Sequence, residues 1–144
     1  MDILSFRQQH LDSIVKIEED SFDDGWSARM FLSSMADKTI IFNILALDDG
    51  GVAGYCLYRV IDDEAEILKI AVDKDRRRLG YGAKMLDDII SFCLKAGVKK
   101  IFLEAGINNT SALNLYKSFG FKKISIRKNY YRGQDAIVLE KTLK

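Results

Sequence analysis

Apolar positions change their spacing several times along the chain, and each change marks a new element. Residues 2–7 read as a short strand. Leu11, Ile14 and Val15, with Phe22 beyond them, recur at helical spacing and predict a helix over 10–20 with these residues facing inward. Asp23-Asp24-Gly25 then breaks the chain, and Ser27 is placed to cap a second helix over 28–36 carrying Met30, Phe31, Leu32 and Met35. Ile41 to Leu47 and Val52 to Ile61 are rich in β-formers and flank Asp48-Asp49-Gly50-Gly51, so they pair as an antiparallel hairpin. A turn at Asp62-Asp63 extends this meander into a strand over 65–72.

The second half changes register. Met85, Leu86, Ile89, Ile90, Cys93 and Leu94 predict a long helix from about Gly80 to Ala96, with Gly97 just past its end. Lys100 to Ala105 is a buried strand, and the helix before it makes it parallel to 65–72. A shorter helix runs from a cap at Asn109 or Thr110 to Phe119, closed by Gly120. Two strands, near 121–128 and 135–142, finish the chain, joined by a loop containing Asn129, Tyr130, Tyr131, Arg132 and Gly133. The fold class is mixed α/β.

Composition narrows the function classes. The 144 residues have no break, linker or repeat, so one domain over 1–144 is expected, and 48% hydrophobic with 30% charged residues excludes disorder. A net charge of +1 implies no nucleic-acid or membrane surface. The first residues lack a signal-peptide pattern, so a cytoplasmic protein is expected. Cys56 and Cys93 lie in apolar runs and are expected to be reduced and packed. With His10 the single histidine and no cluster at ligand spacing, neither a metal site nor a histidine-activated nucleophile is expected.

Arg77-Arg78-Leu79-Gly80-Tyr81-Gly82, between a strand and a helix, has the makings of a phosphate cradle. Glycines allow close backbone approach, the first-turn amides lack helical partners, and Arg76, Arg77 and Arg78 add positive charge. A tight turn would need the same glycines. Glu104 interrupts an apolar strand near its carboxyl end; it is either an edge carboxylate turned to water or a base. Tyr116, twelve residues on, is a core aromatic or a proton donor facing the same cleft. Asn109 is most simply a helix cap, and Trp26 a staple between the first two helices. The Tyr130-Tyr131 pair packs on neighbouring strands or covers a ligand, and Gly54 marks a bulge or a close backbone contact.

Taken together, these elements resemble the GCN5-related N-acetyltransferase (GNAT) family over nearly the whole chain. The resemblance is closest to its RimI-type branch, which acetylates the N-terminal amine of a ribosomal protein, and archaeal N-terminal acetyltransferases are similar in the same places. It is carried by Phe22 to Ser27, Ile70-Ala71-Val72-Asp73, the Arg77 to Gly82 turn, Leu103-Glu104, Asn109 through Tyr116, Gly120-Phe121, and Arg127-Lys128-Asn129-Tyr130-Tyr131 ahead of Asp135-Ala136-Ile137. The resemblance implies a central sheet of about seven strands with a splayed parallel pair and four helices around it. It implies acetyl-CoA as cosubstrate, its pyrophosphate on the amides of the Arg77, Arg78, Leu79, Gly80, Tyr81 and Gly82 turn and its pantetheine arm beside Ile70, Ala71 and Val72. Asn109 and Tyr116 are implied cofactor contacts. Glu104 is the implied general base, Tyr116 the general acid, and Trp26, Tyr130 and Tyr131 the acceptor contacts.

Three departures bear on the acceptor. Gly25-Trp26 stands where the branch usually has Pro-Trp, Asn108-Asn109 replaces Ser-Asn, and Ala105-Gly106 follows Glu104 in place of Val-Arg, so a basic residue near the site is expected to be missing. Acetylation of a small amine such as a polyamine or aminoglycoside, and acyl-CoA sensing without turnover, are the competing readings. No feature encodes the oligomeric state.

Overall fold

The computed structural model describes residues 1–22, 25–131 and 133–143, and for Tyr130 and Tyr131 the backbone alone. Four helices, α1 (Leu11–Ser21), α2 (Ala28–Ser34), α3 (Tyr81–Lys95) and α4 (Thr110–Ser118), accompany seven strands. The strands are β1 (Asp2–Ser5), β2 (Ile40–Ala46), β3 (Val52–Ile61), β4 (Glu64–Val72), β5 (Lys100–Gly106), β6 (Lys122–Tyr131) and β7 (Gln134–Thr142). They form one sheet in the order β1-β2-β3-β4-β5-β7-β6. Every neighbouring pair is antiparallel except β4 and β5, which the α3 crossover makes parallel.

The parallel pairing is short. It runs from Glu64 opposite Lys100 to Ile67 opposite Leu103 and stops. Beyond that point Ile70, Ala71 and Val72 stay paired to Cys56, Tyr55 and Gly54 of β3, while Glu104, Ala105 and Gly106 stay paired to Val138, Ile137 and Ala136 of β7. The two central strands therefore part, and each turns an edge without ladder partners toward the other. This is the splayed pair that the resemblance implies.

Each face of the sheet carries a core. On one, Met85, Leu86, Ile89 and Cys93 of α3 and Leu113 and Tyr116 of α4 pack on Ile67, Ile101, Leu103 and Ala105. On the other, Ile14 and Ile17 of α1 and Phe31 of α2 pack on Phe42, Ile44, Tyr55, Leu57 and Ala71. Side chains alternate along a strand, so Glu104, between Leu103 and Ala105, belongs to the α1/α2 face. Lys69 lies on that face as well, since its cross-strand partner is Leu57. Gly54 is a close approach: a Cβ there would lie 2.6 Å from the Ala71 carbonyl oxygen and 2.9 Å from Met85 Cε. It also faces a register shift between Leu45 and Ala46.

Caps explain the helix ends. Ser27 Oγ accepts from the Met30 amide, Asn109 Oδ1 accepts from the Ala112 amide, and Gly97 and Gly120 take the positive φ that helix termination requires. Strand β1 and helix α2 end two residues before the periodic reading, at Ser5 and Ser34, and two further differences bear on the site. Helix α1 stops at Ser21, so Phe22 is the extended residue after it, and the buried inner face is Ile14, Ile17 and Glu18. Asn129, Tyr130 and Tyr131 continue β6 rather than forming a loop; Asn129, at φ +53°, sits in the irregular stretch between Arg127 and Tyr131 that shifts the register.

Cys56 and Cys93 are free and buried. Burial pushes the Cys56 thiol up to about 12 and the Cys93 thiol up to about 11. The folded state thus keeps protons that the unfolded chain releases above pH 9.0, the ordinary value of a free thiol. Stability is fully present below that pH and falls above it, by up to about 1.4 kcal/mol per pH unit per thiol until the folded value is reached. The expected result is a urea midpoint that is flat near pH 8 and declines toward pH 11, with both thiols resisting iodoacetamide at pH 8 until denaturant is added.

Candidate active site

The end of β4 and the turn after it shape one wall of the splay. Arg78, at φ +64°, and Gly80, at φ +83°, turn the chain sharply into α3. A Cβ built on Gly80 would meet no atom within 4 Å, so the surface above this turn is open. The first intrahelical bond is from the Lys84 amide to the Gly80 carbonyl, which leaves the amides of Tyr81, Gly82 and Ala83 directed out of the helix end. Among the described residues no side chain caps this terminus, and no acidic residue occupies its first turn. Such an end suits an anion. Gly82 packs tightly under it, since a Cβ there would approach Leu115 Cδ2 to 3.3 Å.

Two of the three arginines do different work from the pooled positive charge expected of them, while Arg78 is exposed at the turn. Arg76 is paired with Asp73 at 2.8 Å. Arg77 turns back across the strand end, its Nε donating to the Val72 carbonyl at 3.3 Å and its Nη2 to Ser21 Oγ at 3.0 Å. Arg77 therefore braces the turn against α1. Leu79 is exposed.

On the far wall, Glu104 is the first residue of β5 past the parallel pairing. Its Oε1 is 3.1 Å from Nη2 of Arg127, which reaches across β7 from β6. Its Oε2 is buried and has no hydrogen-bond partner among the described residues. A cation thus stands beside Glu104 after all, supplied by a strand 23 positions later rather than by position 106. Tyr116 lies on the opposite face, 5% exposed, its ring edge-on to Phe121 at 5.8 Å. Glu104 and Tyr116 therefore belong to opposite sides of the sheet, Glu104 at the level where it opens. The cradle and Tyr116 share the α3/α4 side, and Glu104 faces the α1/α2 side.

Asn109 uses its side-chain oxygen as the α4 cap. The side chains of Tyr130 and Tyr131, expected over the acceptor, lie outside the described residues. Trp26 is half-buried and tilted against Phe31 at 5.3 Å, as a staple requires.

Beneath Trp26 is a group the apolar periodicity passed over. Glu18 is fully buried, which for a carboxylate demands several partners. Tyr55 donates its hydroxyl to Oε1; Lys69 Nζ lies 2.6 Å from Oε2, and the Trp26 amide donates to Oε2 at 2.8 Å. Burial and then the Glu18 charge hold the Tyr55 hydroxyl well above the ordinary phenol range, so it remains a donor. The Lys69 ammonium also stands 4.4 Å from the Phe22 ring centroid and 5.2 Å from that of Trp26. The legible signal was an acidic residue at a helix position facing the core, with a lone lysine in an apolar strand.

Among the described residues, no cluster of His, Cys, Asp or Glu could hold a metal, and no helix is long and apolar enough to cross a membrane. A ribosomal protein bS18-alanine N-acetyltransferase of Escherichia coli (strain K12) is 33% identical over 141 residues, covering 95% of this chain and 94% of that protein. The crystal structure of the ribosomal-protein-S18-alanine N-acetyltransferase from Escherichia coli superposes with a TM-score of 0.90 at 32% identity, over 99% of this chain and 94% of that one. Ard1 from Thermoplasma volcanium shares the fold, with a TM-score of 0.87 at 24% identity over 99% of this chain and 97% of that one. The model of the acetyltransferase (GNAT) family matches residues 11–121, and with these likenesses and the splayed sheet it places the chain: it belongs to the GNAT family of acetyltransferases.

Proposed function

We propose that the chain transfers an acetyl group from acetyl-CoA to the N-terminal amine of a protein, a ribosomal protein being the acceptor class that its relatives' names suggest. The observation that carries this reading is Glu104: a carboxylate whose Oε2 is buried without a partner among the described residues, at the point where β4 and β5 part. A buried acceptor atom left unpaired is costly and calls for a reason. A base waiting for an ammonium, or for a water in front of one, supplies it.

The open turn at Gly80, with its outward amides and no acidic residue in the first turn of α3, fits the pyrophosphate of acetyl-CoA. The free edge of Ile70, Ala71 and Val72 suits an amide-bearing arm. When bound, acetyl-CoA supplies a thioester, whose acyl carbon an amine can attack directly. Residues of the chain then divide the proton work. Glu104 takes the proton from the incoming ammonium on the α1/α2 side. Tyr116, on the α3/α4 side, holds the proton that the departing sulfur needs. An N-terminal amine has a reference pKa near ~8 against about 10.4 for lysine, so a carboxylate suffices as its base near pH 7. Both thiols are buried, with values raised to about 12 and about 11, and neither suits an acyl-enzyme, so a ternary complex follows.

A polyamine acceptor would call for an acidic cleft. The carboxylates of Glu18 and Glu104 on the acceptor side are each paired with a cation, Lys69 and Arg127, which argues against one. The test is incubation with acetyl-CoA and short peptides beginning with alanine, serine or methionine. Release of free thiol with at least one of them is expected, and silence across the panel overturns the reading.

A further inference from the structure

We propose that Lys69, Glu18 and the backbone of Gly25-Trp26 form a clamp that sets the height of the acceptor-binding wall, making Lys69 and Glu18 positioning residues for the acceptor. The inference rests on the N-terminal acetyltransferase reading and adds what holds its specificity wall in place.

The placement comes from the sheet. Lys69 lies two residues beyond the last parallel pair, Ile67 with Leu103, and Glu104 lies one residue beyond it on the facing strand. Both side chains belong to the α1/α2 face. An amine approaching Glu104 from that face therefore passes whatever covers Lys69, and what covers it is the rings of Phe22 and Trp26.

That cover is held by one carboxylate. Glu18 binds the Lys69 ammonium and the Trp26 amide through the same oxygen, and the Tyr55 hydroxyl through the other. The α1-to-α2 connection is thereby tied to the strand that lines the cleft. Gly25 completes the fit: a Cβ on it would lie 2.8 Å from Glu18 Cγ, an atom that three bonds to its carboxylate keep from moving aside. A residue with a side chain at 25 must lift the segment off the clamp. This gives the glycine at that position a physical reason.

The chain has a single tryptophan, so Trp26 reports the clamp without any need for turnover. Two variants probe it. Lys69→Met removes the cation and leaves Glu18 buried beside Tyr55. Gly25→Ala disturbs an exposed position and removes no buried charge, so it remains decisive if Lys69→Met fails to fold. In each folded variant, acrylamide quenching of Trp26 is expected to rise. The KM for a peptide acceptor is expected to rise roughly tenfold, with the acetyl-CoA Kd within about twofold of the parent.

A merely structural role would lower the thermal midpoint and leave the peptide KM of the folded enzyme within about twofold. That outcome overturns the proposal, and so does quenching that stays at the parent level. If the parent protein acetylates no peptide, the N-terminal reading fails separately, and the quenching comparison still decides the clamp.

Discussion

Replacing Tyr116 by phenylalanine is expected to lower kcat by about 10²- to 10⁴-fold, the span that a positioned proton donor contributes, and to leave the acetyl-CoA Kd unchanged. The ring is 5% exposed and packs edge-on against Phe121 in the core between α4 and the sheet, so phenylalanine keeps the shape and the contact. Only the hydroxyl is removed. In a direct transfer, the departing sulfur needs a proton as its bond to the acyl carbon breaks, and Tyr116 is on the side of the sheet where the cofactor turn opens. Loss of this proton would cost the transition state and not the ground state, so kcat is expected to fall without a matching loss of affinity. An equal loss of both would show that Tyr116 helps bind the cofactor and does no acid chemistry. Stopped-flow binding and steady-state kinetics on the same preparation separate the two.

Glu104→Gln is expected to lower kcat/KM by about 10²- to 10⁴-fold near pH 7. Glutamine preserves the size of the side chain and can still accept from Arg127, which is half-exposed and suffers little from the lost charge. Proton acceptance alone disappears. The sign of the pH dependence then identifies the role. As pH rises through ~8, more of an N-terminal amine is already neutral and the base becomes less necessary, so the gap between parent and variant narrows. A constant gap from pH 6 to pH 9 would assign Glu104 to positioning.

The elements most fully legible in the residue pattern were those whose periodicity and caps agree. Helix α3 carries its apolar stripe between two glycines, and β2 and β3 flank an Asp-Gly turn. There local preference and tertiary packing demand the same conformation. Two parts of the candidate site, Glu104 and the glycine turn, were legible because each breaks the pattern around it, whereas Tyr116 fits the apolar stripe of α4 and stood out only beside Glu104. What joins the parts was not legible. Arg127 meets Glu104 across an intervening strand, a pairing that depends on the order β5-β7-β6 and leaves no trace in spacing. Glu18 occupies an inner helical position that a search for apolar residues skips, and its role becomes visible only when Tyr55 and Lys69 arrive from two other elements. Asn129, at positive φ ahead of Gly133, has the chemistry of a turn, yet the strand continues through it as an irregularity.

These absences share a cause. Long-range polar contacts are selected by the assembled fold, while periodicity reports only which side of an element is apolar. Arg77 illustrates it: the motif supplies an arginine beside the Gly80 turn, and the fold directs that side chain to Ser21 and the Val72 carbonyl, bracing the turn from behind.

Mapping the acetylated atom in a peptide that begins with alanine and carries one internal lysine tests the central claim most directly. With acetyl-CoA, the parent protein is predicted to place a single acetyl group on the α-amine, seen by tandem mass spectrometry, and to lose that activity with Glu104→Gln. Acetylation of the lysine side chain, or of free spermidine in preference to the peptide, would contradict it.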